Sequence, residues 1–194
     1  VTHGTEAELF IVEGDSAALA VAQARDQRFQ AVLPMQGKPM NAVRASERKV
    51  AANALFGALN DSLGAGWGAS FDASQARYQR VLLLMDPDAD GIHCGALMTM
   101  FFYRWMRPLL DAGRVELVRA PVGEVLPEGA VVPTFAHSDA QLRAQCDALR
   151  GAGAPAFTAL RYRGLGGIDR PVLATTCVEP SSRVTQVVGA ADAE

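Results

Sequence analysis

Short apolar runs alternate with longer stretches of helical periodicity along this chain. Residues 9–12 and 81–85 are unbroken apolar runs, which are typical of strands buried on both faces of a parallel sheet. Between Ile92 and Leu110 the apolar residues instead recur in pairs every four positions, and this predicts a helix packed on that sheet. The alternation predicts an α/β fold with a mostly parallel sheet flanked by helices.

The other segments extend this pattern toward the carboxyl terminus. Further strands are predicted at residues 31–33 and 115–118, and further helices at residues 17–24, from Ser46 onward, and at residues 139–150. Two prolines and Gly37 predict an irregular loop at residues 34–39. Beyond Pro121 the chain becomes richer in glycine and proline, and from Phe157 it is predicted to be strand and loop. The pattern indicates one domain followed by a smaller appendage.

Composition narrows the class of protein. The 194 residues are 49% hydrophobic, which is enough to bury a core. No apolar run reaches the ~18 residues of a membrane span. The first residues are too polar for a signal peptide, so we expect a soluble, cytoplasmic protein without a membrane partner.

The cysteines argue against a zinc site and a disulfide framework, and the net charge argues against independent DNA binding. Cys94, Cys146 and Cys177 are far apart and odd in number, so they predict reduced thiols and neither a zinc site nor a disulfide framework. The formal charge of −3 lacks the broad basic field of a self-sufficient DNA-binding protein. If the chain binds DNA, we expect a partner to supply much of the binding affinity.

Two predicted strands end in acidic motifs. Residues 13–17 read E-G-D-S-A, and residues 86–91 read D-P-D-A-D-G. Because ligands of open α/β sheets bind beyond the carboxyl ends of the strands, both motifs can share one site. Asp86, Asp88 and Asp90 repel one another unless a cation compensates them, and Mg²⁺ suits carboxylate oxygens whereas zinc favours Cys and His. The pattern points to phosphodiester chemistry on Mg²⁺.

Alternative interpretations of the same residues stay open at this level. An EF-hand calcium loop that opens at Asp86 requires a Glu at its twelfth position, and that position is Leu97, which excludes it. The aspartates can also be turn formers after a strand. Glu13 alone can be a solvated strand end, and Asp15 and Ser16 are typical helix-capping residues, which we favour for Ser16 over a nucleophilic role.

Taken in order, the motifs cover nearly the whole chain. They are E-G-D-S-A at residues 13–17, P-M-Q-G-K at 34–38, L-G-A-G-W-G at 63–68, D-P-D-A-D-G-I-H at 86–93, F-F-Y-R at 101–104 and R-Y-R-G-L-G at 161–166. In this order they resemble the Toprim domain of type IIA DNA topoisomerase B subunits, the type found in DNA gyrase and topoisomerase IV. The resemblance implies a Rossmann-like Toprim fold over residues 1–120, and a C-terminal extension over residues 121–194 that is similar to the tail of those subunits.

The resemblance also implies a role for each motif. Glu13 would act in acid–base transfer at the cleaved bond and share a Mg²⁺ ion with Asp86, Asp88 and Asp90. Three cations would contact DNA phosphates, with solvated surface charge as the alternative for each: Lys38, Arg161 and Arg163. Supporting roles fall to three further residues, Asp15, Ser16 and His93, and for His93 we expect a hydrogen-bonding role.

Partners follow from the same resemblance. In that family the nucleophilic tyrosine belongs to another subunit or a downstream domain, so we expect DNA and a tyrosine-bearing A-type subunit as partners. The chain begins shortly before its first motif, so the ATPase is expected in a separate chain or domain. Alone, the chain is expected not to cut DNA. The alternatives are a non-catalytic module that interacts with a topoisomerase and a stand-alone Toprim nuclease or phosphotransferase.

Several positions depart from the family pattern. Gln36 stands where the family usually has a basic residue, and residues 18–19 are Ala-Leu where two glycines are common. Residues 120–123 and 167–168 also differ, while the acidic motifs are intact. Metal binding is therefore better supported by the sequence than DNA contact.

Overall fold

The computed structural model describes residues 4–153 and 156–193. The strands are β1 (Gly4–Glu13), β2 (Gln30–Met35), β3 (Tyr78–Leu84), β4 (Val115–Val118), β5 (Gly123–Pro127), β6 (Thr134–Ala136), β7 (Phe157–Arg161) and β8 (Thr185–Val187). The α-helices are α1 (Gly14–Ala24), α2 (Glu47–Ala51), α3 (Ala54–Leu63), α4 (Ala89–Trp105), α5 (Arg107–Asp111), α6 (Asp139–Gly151) and α7 (Arg170–Leu173). No helix within these residues is both long and apolar enough to cross a membrane.

A five-stranded sheet forms the centre of the molecule. Its strand order is β2-β1-β3-β4-β8, in which the first four strands are parallel and β8 pairs antiparallel with β4. Strands β1 and β3 lie side by side, with Leu9 opposite Val81 and Val12 opposite Leu84. The two unbroken apolar runs are thus interior strands covered on both faces, and the prediction of a mostly parallel α/β sheet is confirmed.

Alternate residues of the interior strands enter two separate cores. Leu9 and Ile11 pack on one face of the sheet with residues of α3, α4 and α5, whereas Phe10 and Val12 pack on the other face with residues of α1 and α7. This division follows from the two-residue period of strand side chains. On the first face Phe56 of α3 stacks on Phe101 of α4, with ring centroids 4.2 Å apart.

The part of the chain after residue 120 contributes to both sheets. Strands β6, β5 and β7 form a separate antiparallel sheet against which α6 packs. The following residues return to the first sheet, because α7 and the π-helical turn Ala174–Val178 pack on the second core and β8 extends the sheet edge. The division at residue 120 stays a prediction about domains.

A buried ion pair attaches this C-terminal segment to β1. Arg183 Nη1 lies 2.7 Å from Glu8 Oε2, and the two side chains are 2% and 5% exposed. Gln30 Nε2 also donates to Glu8 Oε2 at 2.9 Å, and both Gln30 and Arg183 donate to the carbonyl of Val178. Every charge in this buried cluster therefore has a partner.

The structure corrects some predicted element boundaries. Residues 34–35 belong to β2 and not to a loop, and Pro34 is tolerated there because β2 is an edge strand, where a missing N–H need not break the ladder. The helix predicted from Ser46 is divided into α2 and α3, since Asn53 caps α3 by accepting from Phe56 N. The long helix of residues 92–110 starts earlier, at Ala89, and breaks at Met106 between α4 and α5.

Candidate metal and phosphate site

The two acidic motifs meet at one edge of the first sheet. Val12 pairs with Leu84 in the β1–β3 register, so Glu13 and the Asp86 loop leave the sheet at the same end. Glu13 is the last residue of β1 and precedes α1, and Asp86 follows β3 by two residues. The parallel pairing thus brings together residues that are far apart in sequence.

The loop of residues 86–90 is held by its own backbone. Asp88 is the N-cap of α4, and its Oδ1 accepts from Gly91 N at 2.8 Å. A Cβ at Gly91 would lie 2.0 Å from the carbonyl oxygen of Asp86, so only glycine fits there. Asp86 is half-buried, while Asp88 and Asp90 are exposed at the start of the helix. The helix start therefore fixes the direction of the loop.

Glu13 lies in a less polar position than the aspartates. Its Oε2 is buried and accepts no hydrogen bond from a described residue. Burial raises the pKa of Glu13, and the charges of Asp86, Asp88 and Asp90 raise it further, against a lowering effect from the Cys94 thiol. A buried carboxylate oxygen without a hydrogen-bond partner, within the electrostatic influence of three further carboxylates, is an arrangement that a cation would stabilise.

Lys38 is drawn into the acidic loop. Its Nζ lies 2.7 Å from Asp90 Oδ1, and both side chains are exposed. This contact lowers the pKa of Asp90 and raises that of Lys38. Lys38 therefore neutralises one of the predicted metal ligands.

The R-Y-R-G-L-G segment closes the site from the other side. The backbone N–H of Leu165 donates to Asp86 Oδ1 at 2.8 Å, which links segments 79 residues apart. Gly164 has a φ of +73°, and a Cβ there would lie 2.7 Å from Asp86 Oδ2. The backbone of this segment therefore approaches the Asp86 carboxylate as closely as a glycine allows.

A cleft of about 240 Å³ lies between this segment and the acidic loop. Asp86 and Asp88 line one side of the cleft, and Arg161 and Arg163 line the other. Asp139, at the start of α6, accepts from Arg161 Nε at 2.8 Å and from Arg161 Nη2 at 3.3 Å. Arg163 is exposed and forms no ion pair within the described parts of the chain. The cleft thus combines two carboxylates with two guanidinium groups.

The three supporting residues differ in their environments. Asp15 lies in the first turn of α1 and accepts from Gln36 Nε2 at 2.6 Å. The capping role expected of Asp15 and Ser16 is wrong, because α1 begins at Gly14 and its N-cap is Glu13. Ser16 lies against the tail segment, since a Cβ on Gly166 would lie 2.3 Å from Ser16 Oγ. His93 is exposed in α4, and its side chain makes no hydrogen bond to the residues that the structure describes.

The carboxylates of this site fit Mg²⁺ better than a metal ion that protein side chains hold on all sides. Across residues 4–153 and 156–193, no group of three or more His, Cys, Asp or Glu side chains is arranged to hold a metal ion. The four predicted ligands are thus not gathered into one cluster, and Asp90 is engaged by Lys38. Mg²⁺ needs only one or two carboxylates, because waters and phosphate oxygens complete its shell. Glu13, Asp86 and Asp88 could supply the carboxylates.

Sequence reasoning missed several residues of this site. Cys94 interacts with Glu13, and burial raises the pKa of its thiol to about 11. Gln36, which in the sequence is only a departure from a family pattern, contacts Asp15. Asp139 is predicted only as part of a helix, yet it holds Arg161. Asp139 is the first residue of α6 and lies 22 residues before Arg161, and nothing in the sequence between them predicts that the two side chains meet.

The sequence is similar to a known domain family and to known proteins over the residues that form this site. Residues 8–120, more than half of the chain, match the Toprim domain. The DNA gyrase B subunit of Archaeoglobus fulgidus is 37% identical over 189 residues, which are 97% of this chain and 29% of that protein. The corresponding protein of Thermus thermophilus is 39% identical over 192 residues, 97% of this chain and 30% of the relative. That of Thermotoga maritima is 37% identical over 193 residues, 100% of this chain and 30% of the relative.

The chain therefore spans less than a third of the length of these relatives. The residues matched to the Toprim domain include the second half of β1 with Glu13, the Asp86 loop and α4, and so they contain the acidic edge of the sheet. Over residues 8–120, the match to the Toprim domain and the mostly parallel sheet of the structure indicate the same fold. The chain belongs to the Toprim domain family.

Proposed function

We propose that this chain is the Toprim part of a type IIA DNA topoisomerase, which binds Mg²⁺ and supports DNA strand cleavage and religation. A partner subunit of the A type would provide the nucleophilic tyrosine, and another chain or domain would provide the ATPase. The similarity to DNA gyrase B subunits supports this proposal. The chain itself would carry the groups that act on the phosphate.

One observation carries the proposal, namely the cleft in which Asp86 and Asp88 face Arg161 and Arg163. Carboxylates bind a divalent cation, and guanidinium groups bind phosphate through charge-assisted hydrogen bonds. A phosphate in this cleft would bind the cation through some of its oxygen atoms and accept hydrogen bonds from the guanidinium groups through others. The volume of about 240 Å³ is sufficient for a phosphate group and a hydrated ion, but it is small for a large ligand.

The residues of the chain would divide the chemistry among them. When bound, Mg²⁺ stabilises negative charge on the phosphate and on the departing 3′ oxygen. Glu13 would exchange a proton with that oxygen as a general acid and base. Arg161 and Arg163 would orient the phosphate, and Lys38 would contact a phosphate near the Asp90 side of the loop.

Reconstitution with a partner tests this function. The purified chain, a tyrosine-bearing A-type subunit, Mg²⁺ and supercoiled plasmid are mixed, and covalent DNA cleavage complexes are counted after denaturation. We expect cleavage only when both proteins are present, and its loss in Glu13→Gln and Asp88→Asn. Asp111→Asn is the matched control, because Asp111 is an exposed carboxylate on α5 that pairs only with Arg107 within the described residues.

Calorimetry on the chain alone tests the metal separately. Mg²⁺ binding that is abolished by Asp88→Asn supports the site, and an unchanged affinity in that variant refutes it. If the chain alone nicks plasmid and Glu13→Gln removes the activity, the chain is a stand-alone nuclease. If it forms a complex with the A-type subunit and no cleavage follows, it is a non-catalytic interaction module.

A further inference from the structure

Lys38 and Asp90 join two motifs that are 52 residues apart in sequence. Lys38 lies in the loop after β2, Asp90 lies in the first turn of α4, and their charged atoms are 2.7 Å apart. The side chains are 49% and 69% exposed, so solvent, ions and DNA can reach both partners. The pair therefore lies at the mouth of the site and not in its interior.

The two partners have competing proposed roles. Asp90 is a proposed ligand of Mg²⁺, and Lys38 is a proposed contact of a DNA phosphate. While the ion pair is closed, the carboxylate of Asp90 is less available to a metal and the ammonium group of Lys38 is less available to a phosphate. Arg161 is similarly held by Asp139, whereas Arg163 forms no ion pair with a described residue.

We propose that Lys38 is an internal counter-cation, which holds Asp90 until Mg²⁺ displaces it and which then becomes available to a DNA phosphate. The inference rests on the proposed function of the site. Without a metal, Glu13 and the three aspartates repel one another at one sheet edge, and Lys38 offsets part of that repulsion through its contact with Asp90. Release of Lys38 would couple the binding of Mg²⁺ and of DNA, and the coupling must be reciprocal.

The lysine content of the chain permits a direct measurement. Lys38 and Lys49 are the only lysines in the sequence, so a chain labelled with ¹³C-lysine gives side-chain NMR signals from two residues. Lys49 lies exposed on α2 and forms no ion pair with a described residue, which makes it an internal control. During Mg²⁺ titration we expect the Lys38 signals to move toward the Lys49 position and the Lys49 signals to stay in place.

Variants of Asp90 and of the two lysines test the same inference without assigning each NMR signal to a residue. In Asp90→Asn, the Lys38 signals should already occupy the released position without Mg²⁺. Lys38→Met should raise Mg²⁺ affinity by roughly two- to fivefold, the range expected for an exposed ion pair. Lys49→Met removes the same charge elsewhere and should leave Mg²⁺ affinity unchanged.

Each outcome decides between the two proposals. If Mg²⁺ binds in a manner that Asp88→Asn abolishes, but the Lys38 signals do not move, the counter-cation role is wrong and the proposed function survives. Equal effects of Lys38→Met and Lys49→Met also overturn it, because they indicate a general charge effect. If Mg²⁺ does not bind at all, both proposals fail.

Discussion

Replacement of Gly164 by alanine tests whether the tail segment positions the Asp86 carboxylate. Gly164 has a φ of +73°, and its Cβ would lie 2.7 Å from Asp86 Oδ2 and 3.1 Å from Oδ1. The first distance is shorter than Cβ contacts in real structures, so the carboxylate must turn away. That movement would break the hydrogen bond from Leu165 N to Asp86 Oδ1, which is 2.8 Å long.

The expected loss of stability has two parts. Gly164 combines its positive φ with a ψ of 177°, a backbone region essentially restricted to glycine, and a residue with a Cβ costs about 1–3 kcal/mol there. The lost hydrogen bond to a charged acceptor adds about 1.5–3 kcal/mol in a buried setting, and we expect less here because Asp86 is half-buried. We therefore expect Gly164→Ala to lower the free energy of unfolding by about 2–5 kcal/mol and to weaken Mg²⁺ binding.

Gly129→Ala provides a matched control. Gly129 has a φ of +81°, but its Cβ would meet no atom within 4 Å, so the variant carries the backbone cost alone. Urea denaturation of both variants gives the difference in unfolding free energy, and calorimetry gives the Mg²⁺ affinity. Equal destabilisation, together with unchanged Mg²⁺ affinity in Gly164→Ala, would refute the argument that this glycine holds the carboxylate in place.

Two further predictions concern buried carboxylates. Arg183→Met should lower the free energy of unfolding by about 3 kcal/mol, the low end for a broken buried pair, because Glu8 keeps only Gln30 and the more distant Arg80, whose Nη1 lies 4.0 Å away; the double variant with Glu8→Leu should recover most of that loss in urea titrations. Recovery of less than half contradicts this account. For Glu13 the folded-state pKa is raised, so the metal-free chain loses stability as pH rises from 4.5 through that pKa. In EDTA, Glu13→Gln should therefore be more stable than the native chain at neutral pH, with a difference that shrinks toward pH 4.5, and a difference that does not change with pH contradicts this account.

The sheet could be predicted from the sequence because its interior strands are buried on both faces. Residues 9–12 and 81–85 have no polar position, and few structures besides a doubly covered strand produce such short apolar runs in a chain of ordinary composition. Helix ends were harder to predict. Asn53 caps the start of α3 and Met106 caps the end of α4, but neither interrupts the apolar stripe that predicts the longer helices. A capping contact depends on one side chain, whereas periodicity averages over many.

The acidic edge could also be predicted, since parallel strands place their carboxyl ends together. The opposite wall of the cleft could not. Leu165 reaches Asp86 across 79 residues, and Arg183 reaches Glu8 across 175 residues. Neither contact has a local signature, and only the resemblance to a family indicated that Arg161 and Arg163 belong to the site.

The charges of the site explain how an acidic chain could meet a polyanion. The formal net charge is −3, so its overall field does not attract DNA. Around the site, however, carboxylates and cations are already matched in pairs: Lys38 with Asp90 and Arg161 with Asp139. Under the proposed function, a metal would take Asp90 and a phosphate would take Lys38, so this pair could exchange partners without leaving either charge unmatched. If the proposed function holds, the cost of bringing DNA to this surface would depend on local exchange more than on net charge, and a partner subunit would need only to hold the duplex close enough for that exchange to occur.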